Sequence, residues 1–202
     1  MPEDTQLSDS DGVFLVKTAR MAVTKFLSNG KRMKLESERE KKFSFNAGVF
    51  VTLNNADGLR GCIGFPMPDK KLSHGIIDAA IAAATEDPRF SPVKTNELNG
   101  IVFEVTVLTP PVEITVTDPM EYLEKIKVGR DGLIIRNSFS SGLLLPQVPV
   151  EYGWNVEEFL QHTCEKAGLE KNVWKNEKVK IEKFEGIVYK DCLLYTSDAA
   201  DE

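Results

Sequence analysis

The chain is expected to fold as an α+β protein, an antiparallel sheet flanked by helices with a second, smaller α/β subdomain. Three observations predict it. Segments of two-residue apolar alternation are joined by tight turns, so strands pair as hairpins rather than alternating strictly with helices. Helical three- and four-residue spacing marks the segments between them. Prolines cluster near 110–120, where a subdomain boundary is placed.

The first helix is read from a Ser10-Asp11 cap to Asn29, with Val13, Val16, Val23 and Phe26-Leu27 as its apolar stripe and Gly30 as its stop. The polar stretch 31–42 reads as a mixed-charge loop. Val49, Val51 and Leu53 then alternate with Phe50 and Thr52, and Asp57-Gly58 accepts the positive φ of a turn. The second strand of that hairpin is "LRGCIGF". "KKLSHGIIDAAIAAATED" is a helix whose alanines let it lie close to a sheet, ended by Pro88. "GIVFEVTVLTPP" is a strand stopped by Pro110-Pro111.

Asp118 and Pro119 open a short helix. "GLIIRN" and "GLLLPQVP" read as paired strands joined by "SFSS". "NVEEFLQHTCEKAG" is a capped helix ending at Gly168, and "KVKIEKFEGIVYK" supplies one or two last strands. A polar segment 1–10 thus precedes a single domain over 11–190. The last strands either complete the second subdomain or return to the first sheet. The tail 191–202 breaks character, with small and acidic residues, and is expected to be foreign to the domain or a frayed end.

Composition excludes several classes. Apolar residues make up 42% and charged residues 28% of 202, ordinary for a soluble domain with a core. A net charge of −6 lacks the footprint of a nucleic-acid binder. No apolar run is long enough to span a membrane, and the acidic start is no secretory signal. Three scattered cysteines without a C-x-x-C point to a reduced, cytoplasmic protein. With two histidines and no ligand pair at close spacing, no metal site is expected, and no cofactor can be named.

The chemistry centres on "DGLRGCIGF". Its glycines lead to Pro66 and Pro68 rather than to a helix and lysine, so it is not a phosphate loop of the Walker kind. Strand alternation puts Arg60 and Cys62 on one face, about 7 Å apart along the strand. A cation there would favour the thiolate, against the alternative of an inert, buried cysteine. Gly61 and Gly64 permit close approach. Glu104 interrupts an apolar strand and needs solvent or a cation, with Arg60 and Arg89 as candidates. Arg89, after a helix C-terminus, can instead satisfy carbonyls. His74 is the conceivable base for Cys62; His162 and Cys164, two apart on a helix, do not face each other.

"LRGCIG", "DPRF", the "FEVTVL" strand ending in "PP", "GLLLPQVPVEYGW" and "CEKAGL", in that order, resemble the AMMECR-type domain family over roughly residues 11–190. The resemblance implies a larger and a smaller α/β subdomain and a stand-alone cytoplasmic protein of archaeal type. It carries no established reaction. The favoured reading is a small enzyme or ligand-binding domain. Cys62 would be the nucleophile, Arg60 would hold a small anionic ligand, and Gly61, Gly64, Arg89 and Glu104 would complete the site. The rival is a partner-protein module anchored by Tyr152 and Trp154. Nucleic-acid contact through 31–42 is disfavoured, and oligomeric state is left open.

Overall fold

The computed structural model describes residues 7–176 and 179–191. The chain forms two compact units, one running to Val107 and resuming at Val188, the other Leu108–Ile187. This division lies just before the 110–120 expected from the prolines.

In the first unit, the cap of helix α1 (Asp9–Asn29) lies two residues before the expected Ser10: Ser8 accepts from the Asp11 amide, and Asp11 reaches back to Ser8. Gly30, at φ 69°, ends it. The stripe is centred on Leu15, Ala19 and Ala22 with Val16 and Val23, while Val13 is 54% exposed. The alanines, too small to stand out in an apolar pattern, are fully buried in the core that α1 shares with the second long helix. The stretch expected as loop contains a short helix, α2 (Ser37–Lys42). Its region is tied down by an ion pair of Lys42 with Asp11 and by a contact of the His74 imidazole with Glu40.

Strands β1 (Val49–Asn55) and β2 (Gly58–Phe65) form the hairpin, with Gly58 at φ 110° after the turn. Helix α3 (Leu72–Thr85) packs against α1, β1 and β2. Strand β3 (Val102–Leu108) pairs with β1, so the strand order is β2-β1-β3. Val49, Val51, Leu53, Phe103 and Val105 point to the helices and are fully buried. Burying such side chains stabilises by about 1.5–3 kcal/mol each.

Arg20 ties this unit together. Its guanidinium donates to the carbonyls of Leu98 (3.0 Å) and Ile101 (2.6 Å) and to Asp191 (2.6 Å), and lies 4.6 Å above the Phe103 ring. Asp191, first residue of the segment expected to be a foreign tail, also donates its amide to the Phe103 carbonyl at 2.8 Å. The rest of that segment, Cys192 included, lies outside the described residues.

The second unit holds β4 (Val112–Glu113), α4 (Tyr122–Lys125), β5 (Asp131–Arg136), β6 (Ser141–Leu144), α5 (Gln147–Tyr152), α6 (Val156–Lys166) and most of β7 (Lys180–Lys190). β5 pairs antiparallel with β6 and β7, and β7 with β4. "GLLLPQVP" does not continue as strand: it bends after Leu144 into α5. Pro149 is tolerated there because it falls in the first helical turn, where amides have no partner within the helix. α6, capped by Asn155 and Glu158, buries Phe159, Leu160 and Cys164 against Leu133, Ile135 and Trp174.

Candidate functional site

Cys62 lies on the half-buried face of the first unit's sheet, opposite the helices. Gly61, its neighbour, faces α3: a Cβ there would stand 2.1 Å from the Ala83 carbonyl oxygen. Alternation then turns Cys62 away from α3. His74 belongs to α3, on the wrong face, and its imidazole lies 3.2 Å from Glu40. The Cys62–His74 dyad is therefore not formed.

The hairpin register places Thr52 opposite Cys62 and, on its other side, opposite Glu104. The register contains a bulge: between the Leu53–Gly61 and Asn54–Leu59 pairs, β2 carries one extra residue, Arg60. Thr52 Oγ1 is 3.1 Å from Cys62 Sγ. Glu104, whose side chain is 18% exposed, pairs with Lys190 Nζ at 2.8 Å. Neither arginine considered for Glu104 is its partner; the cation comes from the far end of the chain. The hydrogen bond to Glu104, and its charge, raise the Lys190 pKa. Cys62, Thr52, Glu104 and Lys190 thus form one polar row across the strands. Cys62 and Glu104 Cα atoms are about 10 Å apart from ladder spacings alone.

β2 is an edge strand, and at Cys62 its outer edge is closed by side chains. Asp87 Oδ2 accepts the Cys62 amide at 2.8 Å, and Arg89 Nη2 donates to the Cys62 carbonyl at 3.3 Å. Asp87 also accepts from Arg89, through Nε at 3.0 Å and Nη2 at 2.8 Å. Asp87 is buried, and Arg89 and the two amides hold its carboxyl well below the usual carboxylate range despite burial. The Arg89 pKa is raised, first by Asp87 and last by the charge of Cys62. Arg89, rather than Arg60, is thus the guanidinium tied to the cysteine.

Arg60 is committed elsewhere. It donates to Glu97 at 2.9 Å and 3.2 Å and to the Ser91 carbonyl at 2.9 Å. These bonds hold the loop before β3 against the bulge and hold the Glu97 carboxyl below its usual range. Gly64 is a packing position: a Cβ there would stand 2.3 Å from the Phe50 ring. Of the six expected site residues, Cys62, Arg89 and Glu104 gather on or beside the row, while Arg60, Gly61 and Gly64 position the strand. Thr52, Asp87 and Lys190 were missed. "DPRF" was read for its arginine, although an aspartate two residues before it is as visible.

Cys164, the other thiol among the described residues, is fully buried, and burial pushes it up to about 11. Among the described residues no cluster of three His, Cys, Asp or Glu could hold a metal, and no helix is long and apolar enough to cross a membrane. In the second unit, Trp154 is half-buried and stacked between Tyr152, at 4.9 Å between ring centroids, and His162, at 3.9 Å. Tyr152 is 68% exposed.

The family model AMMECR1 matches residues 16–189. Protein MJ0810 of Methanocaldococcus jannaschii is 51% identical over 187 residues, 92% of each chain. Protein PYRAB00100 of Pyrococcus abyssi is 47% identical over 92% of this chain and 93% of its own. The crystal structure of an uncharacterised protein, PH0010 from Pyrococcus horikoshii, superposes with a TM-score of 0.77 at 47% identity, covering 92% of this chain and 93% of that one.

Proposed function

The chain belongs to the AMMECR1 family, and we propose that it is a small-ligand-binding domain with a thiol-bearing site along the row of Cys62, Thr52 and Glu104. The observation that carries this reading is the row itself. Register puts a half-exposed thiol, a hydroxyl and a carboxylate–ammonium pair on one sheet face. Side-chain bonds at both its amide and its carbonyl fix the backbone under the thiol. The ligand class is a small organic anion. Arg89 and Lys190 are the cations beside the row: each is paired, with Asp87 and Glu104, but their side chains are 54% and 67% exposed and can turn to a ligand, whereas Arg60, paired with Glu97, is 12% exposed. Cys62 is then either a close-contact wall for the ligand or, in a catalytic version, its nucleophile.

Site-resolved alkylation tests this. The protein is treated with iodoacetamide at neutral pH, with and without a panel of small carboxylates and phosphates, and labelling is read by peptide mass spectrometry. Cys164 is the internal reference for a buried thiol. Saturable protection of Cys62 by one class of anion, weakened in Arg89→Ala or Lys190→Ala, is expected. Absence of protection by every anion sinks the binding reading. A Cys62 rate no faster than an ordinary thiol, with anion binding intact in Cys62→Ala, sinks the catalytic version alone.

A second reading, docking of a partner protein on the second unit, is favoured by the Tyr152–Trp154–His162 stack, in which the indole is not fully buried. Tyr152→Ala separates the two readings, because under the first it leaves protection of Cys62 unchanged.

A further inference from the structure

Beside the row of Cys62, Thr52 and Glu104 runs a second row on the same sheet face. Phe50 precedes Thr52 by two residues on β1, so the two side chains share a face. Register sets Phe50 between Gly64 on β2 and Thr106 on β3. Phe50 takes no part in the core between this sheet and its helices, where its neighbours Val49 and Val51 are fully buried. Its ring leans across β2 instead: a Cβ on Gly64 would stand 2.3 Å from both Cγ and Cδ1 of the ring. An aromatic ring laid over a strand glycine supports the sheet edge. That contact uses only part of the ring. Phe50 is half-buried, and among the described residues it stacks on no other aromatic side chain.

The ring lies close to the thiol and to a cation. Gly64 follows Cys62 by two residues, about 7 Å along the strand. Arg89 donates to the Cys62 carbonyl through Nη2 and to Asp87 through Nε and Nη2. Its Nη1 has no partner among the described residues, so Arg89 can hold a ligand oxygen without releasing Asp87. Asp87 already offsets much of the guanidinium charge. One spare nitrogen therefore suits a single carboxylate better than a phosphate dianion, which asks for several charged donors. A carboxylate held there has the Phe50 ring within the length of one benzene ring, with the thiol alongside. Rings in that position prefer offset stacking.

We propose that the ligand of this site is an aromatic monocarboxylate, with its carboxylate on Arg89 Nη1 and its ring stacked on Phe50, which makes Phe50 the residue that selects it. The proposal rests on the reading of the Cys62 row as an anion site.

Protection of Cys62 from iodoacetamide, titrated on the full chain with benzoate, acetate and inorganic phosphate, tests it. Benzoate should protect at about a tenfold lower concentration than acetate, the scale of one aromatic pair removed from water. Phosphate should be the weakest of the three. An intermolecular NOE between benzoate and the Phe50 ring protons is expected in the parent protein and needs no variant. Phe50→Ala should reduce benzoate to the level of acetate and leave acetate unchanged, a loss of selectivity that a purely structural role would not produce. Phe50→Leu, which keeps bulk over Gly64, is read in the same way if Phe50→Ala does not fold. Arg89→Ala should weaken benzoate and acetate alike. Protection by acetate or phosphate as strong as by benzoate would overturn the proposal and leave the anion site standing. Protection by no anion at all removes the anion site itself. A benzoate preference that survives in folded Phe50→Ala, or an NOE to other side chains only, overturns the role of Phe50.

Discussion

Replacing Asp87 with alanine should loosen the strand that carries Cys62. The carboxylate accepts the Cys62 amide at 2.8 Å, the Arg89 amide at 3.0 Å and two guanidinium bonds from Arg89. The four do not weigh equally. The Arg89 side chain is 54% exposed, so its guanidinium recovers water when the carboxylate goes, and the pair contributes roughly 0.5–1 kcal/mol. The Cys62 amide sits under a side chain that is 2% exposed, and leaving such a donor without an acceptor costs about 1–3 kcal/mol. With the Arg89 amide added, the loss is about 3 kcal/mol. For a chain of this size that lowers Tm by about 6–12 °C. Asp87→Asn keeps an acceptor oxygen and should lose about half as much.

The assay must see the first unit. Both tryptophans, Trp154 and Trp174, lie in the second, so tryptophan fluorescence reports on the wrong one. Hydrogen exchange of the 58–65 peptide, with far-UV dichroism for the melt, reads the right strand. Asp87→Ala should speed exchange at the Cys62 amide by one to two orders of magnitude, about 1.4 kcal/mol for each factor of ten, if opening is local. A loss below about 1 kcal/mol with unchanged exchange in that peptide would refute the view that Asp87 closes the strand edge.

Other outcomes follow from the same geometry. Gly61→Ala puts a methyl 2.1 Å from the Ala83 carbonyl oxygen, which is backbone and cannot rotate away. It should cost about 3 kcal/mol by overpacking, and a denaturation midpoint unchanged from the parent protein would contradict the close helix–strand contact. Arg20→Ala removes the donor shared by Leu98, Ile101 and Asp191 and should cost about 2 kcal/mol, with exchange rising in the 98–103 peptide first. Acid should destabilise the protein. Asp87 and Asp131 titrate below 3.8 when folded, Asp87 chiefly through Arg89, and Asp131 because Arg130 and the Lys127 amide outweigh a larger burial effect in combination. Their contribution is therefore complete above about pH 4 and is lost as pH falls through the folded values. Urea midpoints that stayed flat from pH 6 to 3 would exclude this, and Asp87→Asn should shallow the acid limb.

The fold was legible where chain-local signals decide it. Two-residue alternation found β1 and β3, the alanine spacing found α3, and Asp118-Pro119 found the start of the short helices. The site was legible only in part, because its decisive contacts depend on register. Counting outward from the Ala56-Asp57 turn without a bulge sets Val51 opposite Cys62. The extra residue at Arg60 shifts the partner to Thr52, and nothing in "LRGCIG" announces a bulge. Lys190 could not be matched to Glu104 from spacing, since their pairing depends on where β7 returns. Arg60 looked available because its partner, Glu97, sits in a polar stretch without periodicity. The exposure of Val13 shows the same limit in a helix. Valine outweighed alanine in the reading, yet close packing favours the smaller side chain.

The tie between Arg20 and Asp191 bears on the order of synthesis. The first unit is discontinuous, and Tyr189, Lys190 and Asp191, which pack or pair within it, leave the ribosome after the whole of Leu108–Ile187. Domains usually fold as units in the order they are made. Here the later segment is the uninterrupted one and can complete its own core first. Helix α1, though translated before the second unit, waits with Arg20 unmatched by its carboxylate until the last described residue arrives. A nascent chain stalled before Val188 should therefore hold a protease-resistant second unit beside a first unit still open to cleavage.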